Sequence, residues 1–296
     1  MLEELPTEQA NAASEGIDAR STDEILRIIN REDQRVAQAV AAVIPEVSRA
    51  VDAIVERLRA GGRLFYIGAG TSGRLGLVDA AECPPTFQTP PEMVQGVIAG
   101  GDAALAHATE ASEDDPEAGV RDLEERGFGS GDALVGIAAS GRTPYVLGAV
   151  AHARRIGALA IGLSCNLGGE LARAAEIAIT PDTGPEIIAG STRMKAGTAT
   201  KLVLNMISTA VMIRLGHVYG NLMVNVRPVN SKLAARARRI VALAGRVGAG
   251  EAERLLDAAG GDVKAAIVMG RLGADCDAAR RRLAEAGGRL SVVIGE

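Results

Sequence analysis

Residues Arg63 to Pro85 read RLFYIGAGTSGRLGLVDAAECPP, and the parsing of that stretch decides the fold. Arg63 to Ile67 is a short apolar run with two aromatics and a β-branched residue, bounded by glycines on both sides, and it predicts a buried strand. Gly68, Gly70 and Gly73 follow, with Thr71 and Ser72 between them and Arg74 behind. A helix over Leu75 to Glu82 comes next and is expected to stop before Pro84 and Pro85, which cannot donate to a helical ladder. Strand, glycine-rich turn, hydroxyls and helix start form, in that order, a site for an anion. Glycines let the backbone come close, and the first N–H groups of the helix lie unpaired at its positive end. A tight turn without a ligand has the same spelling.

Gly68 to Gly73 also satisfies the dinucleotide fingerprint G-x-G-x-x-G. That fold needs an acidic residue closing the second strand, roughly 20 residues on. Glu92 stands at that offset but precedes the next strand, and Asp102 lies beyond Gly100 and Gly101. The partner is misplaced.

Working outward, strands are expected over 94–99, 133–138, 159–165 and 177–180. Helices are expected over 103–111, 144–155 and 195–215. This alternation implies an α/β fold, a parallel sheet with helices on both faces. Ahead of it, Ser21 to Glu24 is a capping box opening helical periodicity that continues to Leu58. Residues 1–20 read as a polar arm with little structure of its own. Past Val229 the chain becomes short helices over 232–247, 251–258, 263–272 and 275–285. The division is an N-terminal helical arm (1–49), a sheet domain (50–228) and a small helical domain (229–296).

Composition bounds the partners. The chain has 296 residues, enough for such a domain plus a smaller one, and with 2% aromatics and no Trp its core must be aliphatic. Net charge is −5 and no Lys/Arg run occurs, which argues against nucleic acid and against a basic membrane patch. The start MLEELPTEQ has no apolar leader, and no uninterrupted apolar run reaches the ~18 residues of a span. Three cysteines and three histidines, all far apart, give neither a disulfide framework nor metal-ligand spacing. These features point to a soluble chain in a reducing compartment.

A second turn repeats the chemistry of the first. Ser140-Gly141-Arg142-Thr143 joins the end of the 133–138 strand to a helix, with Thr143 as expected N-cap and Pro144 at the first helical position. Two hydroxyl-and-glycine turns at the carboxyl edge of one parallel sheet suit a phosphate on a small polar molecule. Among carboxylates, Glu82 is expected at a helix C-terminus, where the dipole disfavours its charge and suits it to act as an acid. An ordinary exposed glutamate is the other reading. Glu113 lies in the acidic run with Glu110, Asp114 and Asp115, either a crowded carboxyl or a solvated turn. Lys195 and Lys201 are candidates for Schiff-base lysines, but a lysine on a helix face is usually solvated, and that is the expectation for both. Ser140 has no visible His–Asp partners for a hydrolase triad.

Five stretches carry a family resemblance: STDEILRIINREDQ at 21–34, GAGTSGRLGLVDAAECPPTF at 68–87, VGIAASGRTPYV at 135–146, GSTRMKAGTATKLVLNMIST at 190–209 and GNLMVNVRPVNSKL at 220–233. Together they resemble the N-acetylmuramic acid 6-phosphate etherases over nearly the whole chain. The resemblance implies a sugar isomerase (SIS) fold with a five-stranded parallel sheet and a C-terminal part similar to a ubiquitin-associated helical bundle. It also implies a cytoplasmic homodimer without metal or organic cofactor, acting on a small-molecule sugar phosphate. The family's two active-site glutamates correspond to Glu82, the proton donor, and Glu113, the base. Thr71, Ser72, Gly73, Ser140, Gly141 and Thr143 would bind the phosphosugar, Glu186 resembles a sugar-contacting glutamate, and Arg74 and Arg142 are candidates for the lactyl carboxylate. Competing readings are a non-catalytic sugar-phosphate sensor, since glucokinase regulatory protein shares these motifs, and an aldose–ketose phosphosugar isomerase.

Overall fold

The computed structural model describes residues 6–106, 113–228 and 230–295. Two helices, α1 (Thr22–Ala41) and α2 (Ile44–Arg59), precede the sheet. They are followed by β1 (Leu64–Gly68), α3 (Gly70–Phe87), β2 (Val94–Ile98), α4 (Ala103–Ala106), α5 (Pro116–Glu125), β3 (Ala133–Ile137) and α6 (Pro144–Arg155). Next come β4 (Leu159–Leu163), α7 (Glu170–Ala174), β5 (Ile177–Ile179) and α8 (Lys195–Arg214). The expected helix over 103–111 and the acidic turn from Ser112 run into 107–112, outside the described residues.

The five strands lie in the order β2-β1-β3-β4-β5, all parallel. Every residue of β1, β3 and β4 is buried, so both faces of the sheet are covered and neither alternates polar with apolar. Phe65 and Ile67 of β1, Leu134 of β3 and Ala160 of β4 form one core with Val146, Ala149 and Val150 of α6 and Leu123 of α5. Each large apolar side chain buried this way contributes about 1.5–3 kcal/mol. The Ser21–Glu24 capping box forms as the sequence predicts.

Three expectations are corrected. First, α3 does not stop before Pro84 but runs through Pro84 and Pro85 to Phe87. The two prolines withhold their N–H donors, and just past the helix end Gln88 N–H donates to the Pro84 carbonyl at 2.9 Å. Second, residues 6–19 are not an unstructured arm. They make three 3₁₀ turns, with Thr7 fully buried, Asn11 donating to the Pro185 carbonyl and Ser14 to that of Ile187. Third, α5 and α7 fill connections to which the sequence reading assigned no element.

The contacts divide the chain into two units: 1–81 with 92–208, and 82–91 with 209–296. The second holds α9 (Ser231–Gly245), α10 (Ala249–Ala258), α11 (Val263–Leu272), α12 (Cys276–Glu285) and the short α13 (Leu290–Ile294), around a core of Ala, Val, Ile and Leu. Asn230, Asp262 and Asp275 cap three of these helices. Among the described residues α8 alone is long and apolar enough to cross a membrane, but more than half of it is buried within the protein, as in a core helix.

Candidate functional site

The strand order reverses between β1 and β3: from β1 the chain moves outward to β2, and from β3 outward to β4 and β5. At such a switch point the connections leave on opposite sides and a crevice opens beyond the carboxyl ends of the two strands. Gly68 and Ile137 are register partners, so the two turns singled out in the sequence leave from paired residues.

The first turn is built by close approach. A Cβ on Gly68 would stand 2.7 Å from Gly73 N, and one on Gly73 would stand 2.6 Å from both Gly68 O and Ile98 Cγ1. Only hydrogen atoms fit there, which lets α3 start directly above the strand. Thr71 and Ser72 occupy its first turn, half-buried. Arg74 does not point a free guanidinium at the crevice; its Nε and Nη2 donate to the Ala104 carbonyl at 3.1 and 2.8 Å, pinning α4.

Hydrogen bonds build the second turn. Gly141 N–H returns to the Ala138 carbonyl, while the Ala139 and Gly141 carbonyls accept from Cys165 and Leu171 N–H at 3.0 and 2.9 Å. Ser140 Oγ accepts from Arg142 N–H at 3.3 Å, which leaves its own hydrogen to give to an acceptor. Thr143 holds the N-cap position, but its hydroxyl makes no cap bond. Arg142 is partly exposed and pairs with Glu170 at 3.5 Å.

Glu113 is brought to these turns. Its carbonyl accepts from Tyr145 N–H in the first turn of α6 at 3.0 Å. Its Oε1 lies so near the first turn that a Cβ on Gly70 would be 3.3 Å away. Rigid packing sets that position. Asp115 caps α5, receiving Glu117 and Ala118 N–H. The α5 and α6 backbones touch where a Cβ on Gly148 would be 2.1 Å from Pro116 O, and one on Gly119 2.2 Å from Tyr145 O. The Tyr145 hydroxyl donates to Asp122 at 2.5 Å; burial first, then that carboxylate, push its ionisation well above the usual phenol range.

Glu82 is exposed on α3, five residues before the helix end, in the stretch belonging to the second unit. The expectation that it faces the negative end of the helix dipole therefore fails, because the prolines do not end the helix. Glu186 is fully buried, and its two oxygens accept from the Lys195 and Ala196 N–H groups at 2.9 Å each. Burial raises its pKa, partly offset by those donors, and its place is the cap of α8.

Sequence reasoning missed what lies behind this cap. Lys195, expected to be solvated, is 1% exposed and donates to Glu32 at 2.7 Å and to the Pro185 carbonyl at 2.8 Å. Glu32 also receives Asn11 and Arg35, so although burial opposes its charge, these bonds hold its carboxyl down to about 2. Its position in α1 gave one weak signal, a carboxylate on the apolar stripe formed by Ile28, Val36 and Val40. Lys201 is exposed as expected. Among the described residues no group of three or more His, Cys, Asp or Glu could hold a metal ion.

Comparison with known proteins places this arrangement. Residues 46–154 match the family of the glucokinase regulatory protein N-terminal SIS domain. Over 290 residues, 98% of this chain and 97% of the relative, it is 55% identical to an N-acetylmuramic acid 6-phosphate etherase of Aeromonas hydrophila subsp. hydrophila. It is 54% identical to one of Rubrobacter xylanophilus, over 100% of this chain and 97% of that protein. Among solved structures, a phosphoheptose isomerase of Neisseria gonorrhoeae superposes with a TM-score of 0.51 at 20% identity, covering 64% of this chain and 98% of that one. This last likeness shows the fold, the parallel sheet with flanking helices.

Proposed function

The chain belongs to the N-acetylmuramic acid 6-phosphate etherase family, and we propose on that basis that it cleaves the D-lactyl ether of N-acetylmuramic acid 6-phosphate. Water is consumed, and N-acetylglucosamine 6-phosphate and D-lactate are formed. The observation that carries the reading is the juxtaposition of two anion-suited turns on paired residues at the sheet's switch point, with the Glu113 carboxylate over Gly70. The phosphate lies against the hydroxyls of Ser72, Ser140 and Thr143 and the helix starts beside them. That leaves the sugar carbons reaching toward Glu113.

In the open-chain sugar, C2–H is acidified by the neighbouring aldehyde. Glu113 takes that proton while Glu82 protonates the departing lactyl oxygen at C3, so the C3–O bond breaks and a C2–C3 double bond forms. Water then adds at C3 and a proton returns to C2. Elimination and hydration together balance as hydrolysis. A positioned acid or base contributes about 10²–10⁴ in rate. Glu82 enters through the family resemblance of its AECPP motif rather than through its place on the helix. Glu186 is engaged as the cap of α8, and its contact with the sugar rests on the family resemblance. The enzyme works as a cytoplasmic homodimer and needs neither metal nor organic cofactor.

The test is D-lactate release from N-acetylmuramic acid 6-phosphate by the wild type, Glu82→Gln and Glu113→Gln. Release by the wild type, with a fall of about 10² or more in each folded variant, is the expected result. A wild type that binds the sugar phosphate and frees no lactate would establish the sensor instead.

A further inference from the structure

The second turn carries its carbonyls on one side. Those of Ala139, Ser140 and Gly141 all face the segment that follows β4: Ala139 O meets Cys165 N–H and Asn166 Nδ2, Ser140 O meets Asn166 Nδ2 at 3.0 Å, and Gly141 O meets Leu171 N–H. In a trans peptide the N–H points opposite to the C=O. The Ser140 N–H is therefore turned away from the β4 side, whereas Gly141 N–H is taken by the Ala138 carbonyl and Arg142 N–H by Ser140 Oγ. Because β3 has β4 on one flank and β1 on the other, the Ser140 N–H is turned toward the crevice shared with the first turn.

One side chain enforces most of this. Asn166 is 1% exposed, and its Nδ2 donates to the Ala139 carbonyl (3.2 Å), the Ser140 carbonyl (3.0 Å) and Thr7 Oγ1 (3.3 Å). Its Oδ1 is buried and has no hydrogen-bond partner among the described residues. An unmet buried acceptor is costly, and turning the amide over would set that oxygen against two carbonyl oxygens, which is worse. The amide thus stands in the one orientation that faces donors to the turn. Thr7 braces it: fully buried, it touches Asn166 through its hydroxyl, and its carbonyl accepts from Gly190 N–H at 3.0 Å. Fourteen residues before the N-cap of α1, a threonine of the N-terminal segment thus reaches the back of one site turn and the loop leading into α8.

We propose that Asn166, braced by Thr7, is a positioning residue for the substrate's phosphate, holding the Ala139 and Ser140 carbonyls toward β4 so that the Ser140 N–H faces the crevice. This rests on the reading that the phosphate binds at the two turns. Neither side chain touches the substrate; both act through the backbone between them and it.

The experiment measures the Kd of N-acetylglucosamine 6-phosphate and of unphosphorylated N-acetylglucosamine by calorimetry, with KM and kcat for lactate release, in six proteins. These are the wild type, Ser140→Ala, Asn166→Asp, Asn166→Ala, Thr7→Val and Thr7→Ser. Asn166→Asp keeps the shape and replaces the donor with an acceptor. Its Kd for the phosphate ester and its KM are expected to rise about tenfold or more, with kcat within about threefold of wild type, since hydrogen bonds to a charged group are lost and the glutamates are untouched. Thr7→Val should show a smaller rise, and Thr7→Ser, which keeps the oxygen, should restore wild-type values. Affinity for the unphosphorylated sugar should not move. If Asn166→Asp does not fold, Thr7→Val against Thr7→Ser decides. Folded variants that melt lower but bind the phosphate ester like the wild type overturn the positioning role, while weakening by Ser140→Ala keeps the phosphate reading intact. A wild type with no preference for the phosphate ester, or no effect of Ser140→Ala, overturns the phosphate reading itself.

Discussion

The two turns at the switch point are built by different physics. From Gly68 to Gly73 the backbone is brought in by leaving side chains out, so strand end and helix start nearly touch. From Ala138 to Thr143 it is shaped by partners, with three consecutive carbonyls held by the segment after β4 and a buried amide behind them. A turn made by exclusion is intolerant of an added methyl and indifferent to distant polar changes. A turn made by hydrogen bonds is the reverse. On the proposed reading, two such constructions facing one crevice form the two halves of an anion site, and those halves fail under different insults.

Gly73→Ala should break the first half most severely. Its Cβ would meet a strand carbonyl and Ile98 Cγ1, both at 2.6 Å, and the carbonyl cannot retreat without parting β1 from its neighbours. Overpacking of that kind costs about 3 kcal/mol. Ser140→Ala in the second turn removes an oxygen and crowds nothing, and is expected to cost under about 1 kcal/mol. Urea midpoints of the two variants measure the contrast, and equal midpoints would refute the distinction between the turns.

Acid should strike the other half. Glu32 has its folded pKa depressed from 4.5 to about 2, so its contribution is fully present above about pH 5 and is lost as pH falls toward 2. In that window the unfolded chain binds the proton more readily. By linkage about 2 kcal/mol should be gone by about pH 3. Glu32 receives Asn11, which also donates to the Pro185 carbonyl, so the segment carrying Thr7 is tied down by this pair. Stability against pH should accordingly be flatter between about pH 5 and 3 for Glu32→Gln than for the wild type. Amide exchange should separate the halves further: Gly190 N–H, bonded to Thr7, should lose protection in acid before Gly73 N–H, bonded to Ala69. Simultaneous loss at both would mean that the turns are not independently supported.

The parts legible in the sequence were those governed by local pattern. Strands of β-branched and aliphatic residues, the alternation that makes them parallel, the capping box at Ser21 and both glycine turns could be read because each is specified within a few neighbouring residues. What escaped is what distant residues decide. Pro84 and Pro85 read as a stop, yet α3 runs through them to Phe87, and with that the helix-end argument for Glu82 was lost. Lys195 and Glu32 are 163 positions apart, and nothing local told either that it would be buried. Thr7 and Asn166 are separated by nearly as much. Candidate site residues on the two turns were thus found from sequence, whereas their supports were not.

The smallest expected effect lies where the two halves meet. Gly70 has φ +51°, in the left-handed region, and a Cβ there would stand 3.3 Å from Glu113 Oε1. Gly70→Ala carries about 1 kcal/mol of backbone strain, well short of unfolding the domain. Its methyl does not enter the strand–helix contact that Gly73 guards; it presses on the end of a glutamate side chain, which can give by a few tenths of an ångström. If Glu113 is the base, that displacement should lower kcat for lactate release by about tenfold, the order expected when a catalytic group is shifted from productive geometry. Affinity for N-acetylglucosamine 6-phosphate, which depends on the turn backbones and hydroxyls, should change little. A fall in affinity with kcat preserved would instead make Gly70 part of the anion site and leave Glu113 without its part in the chemistry.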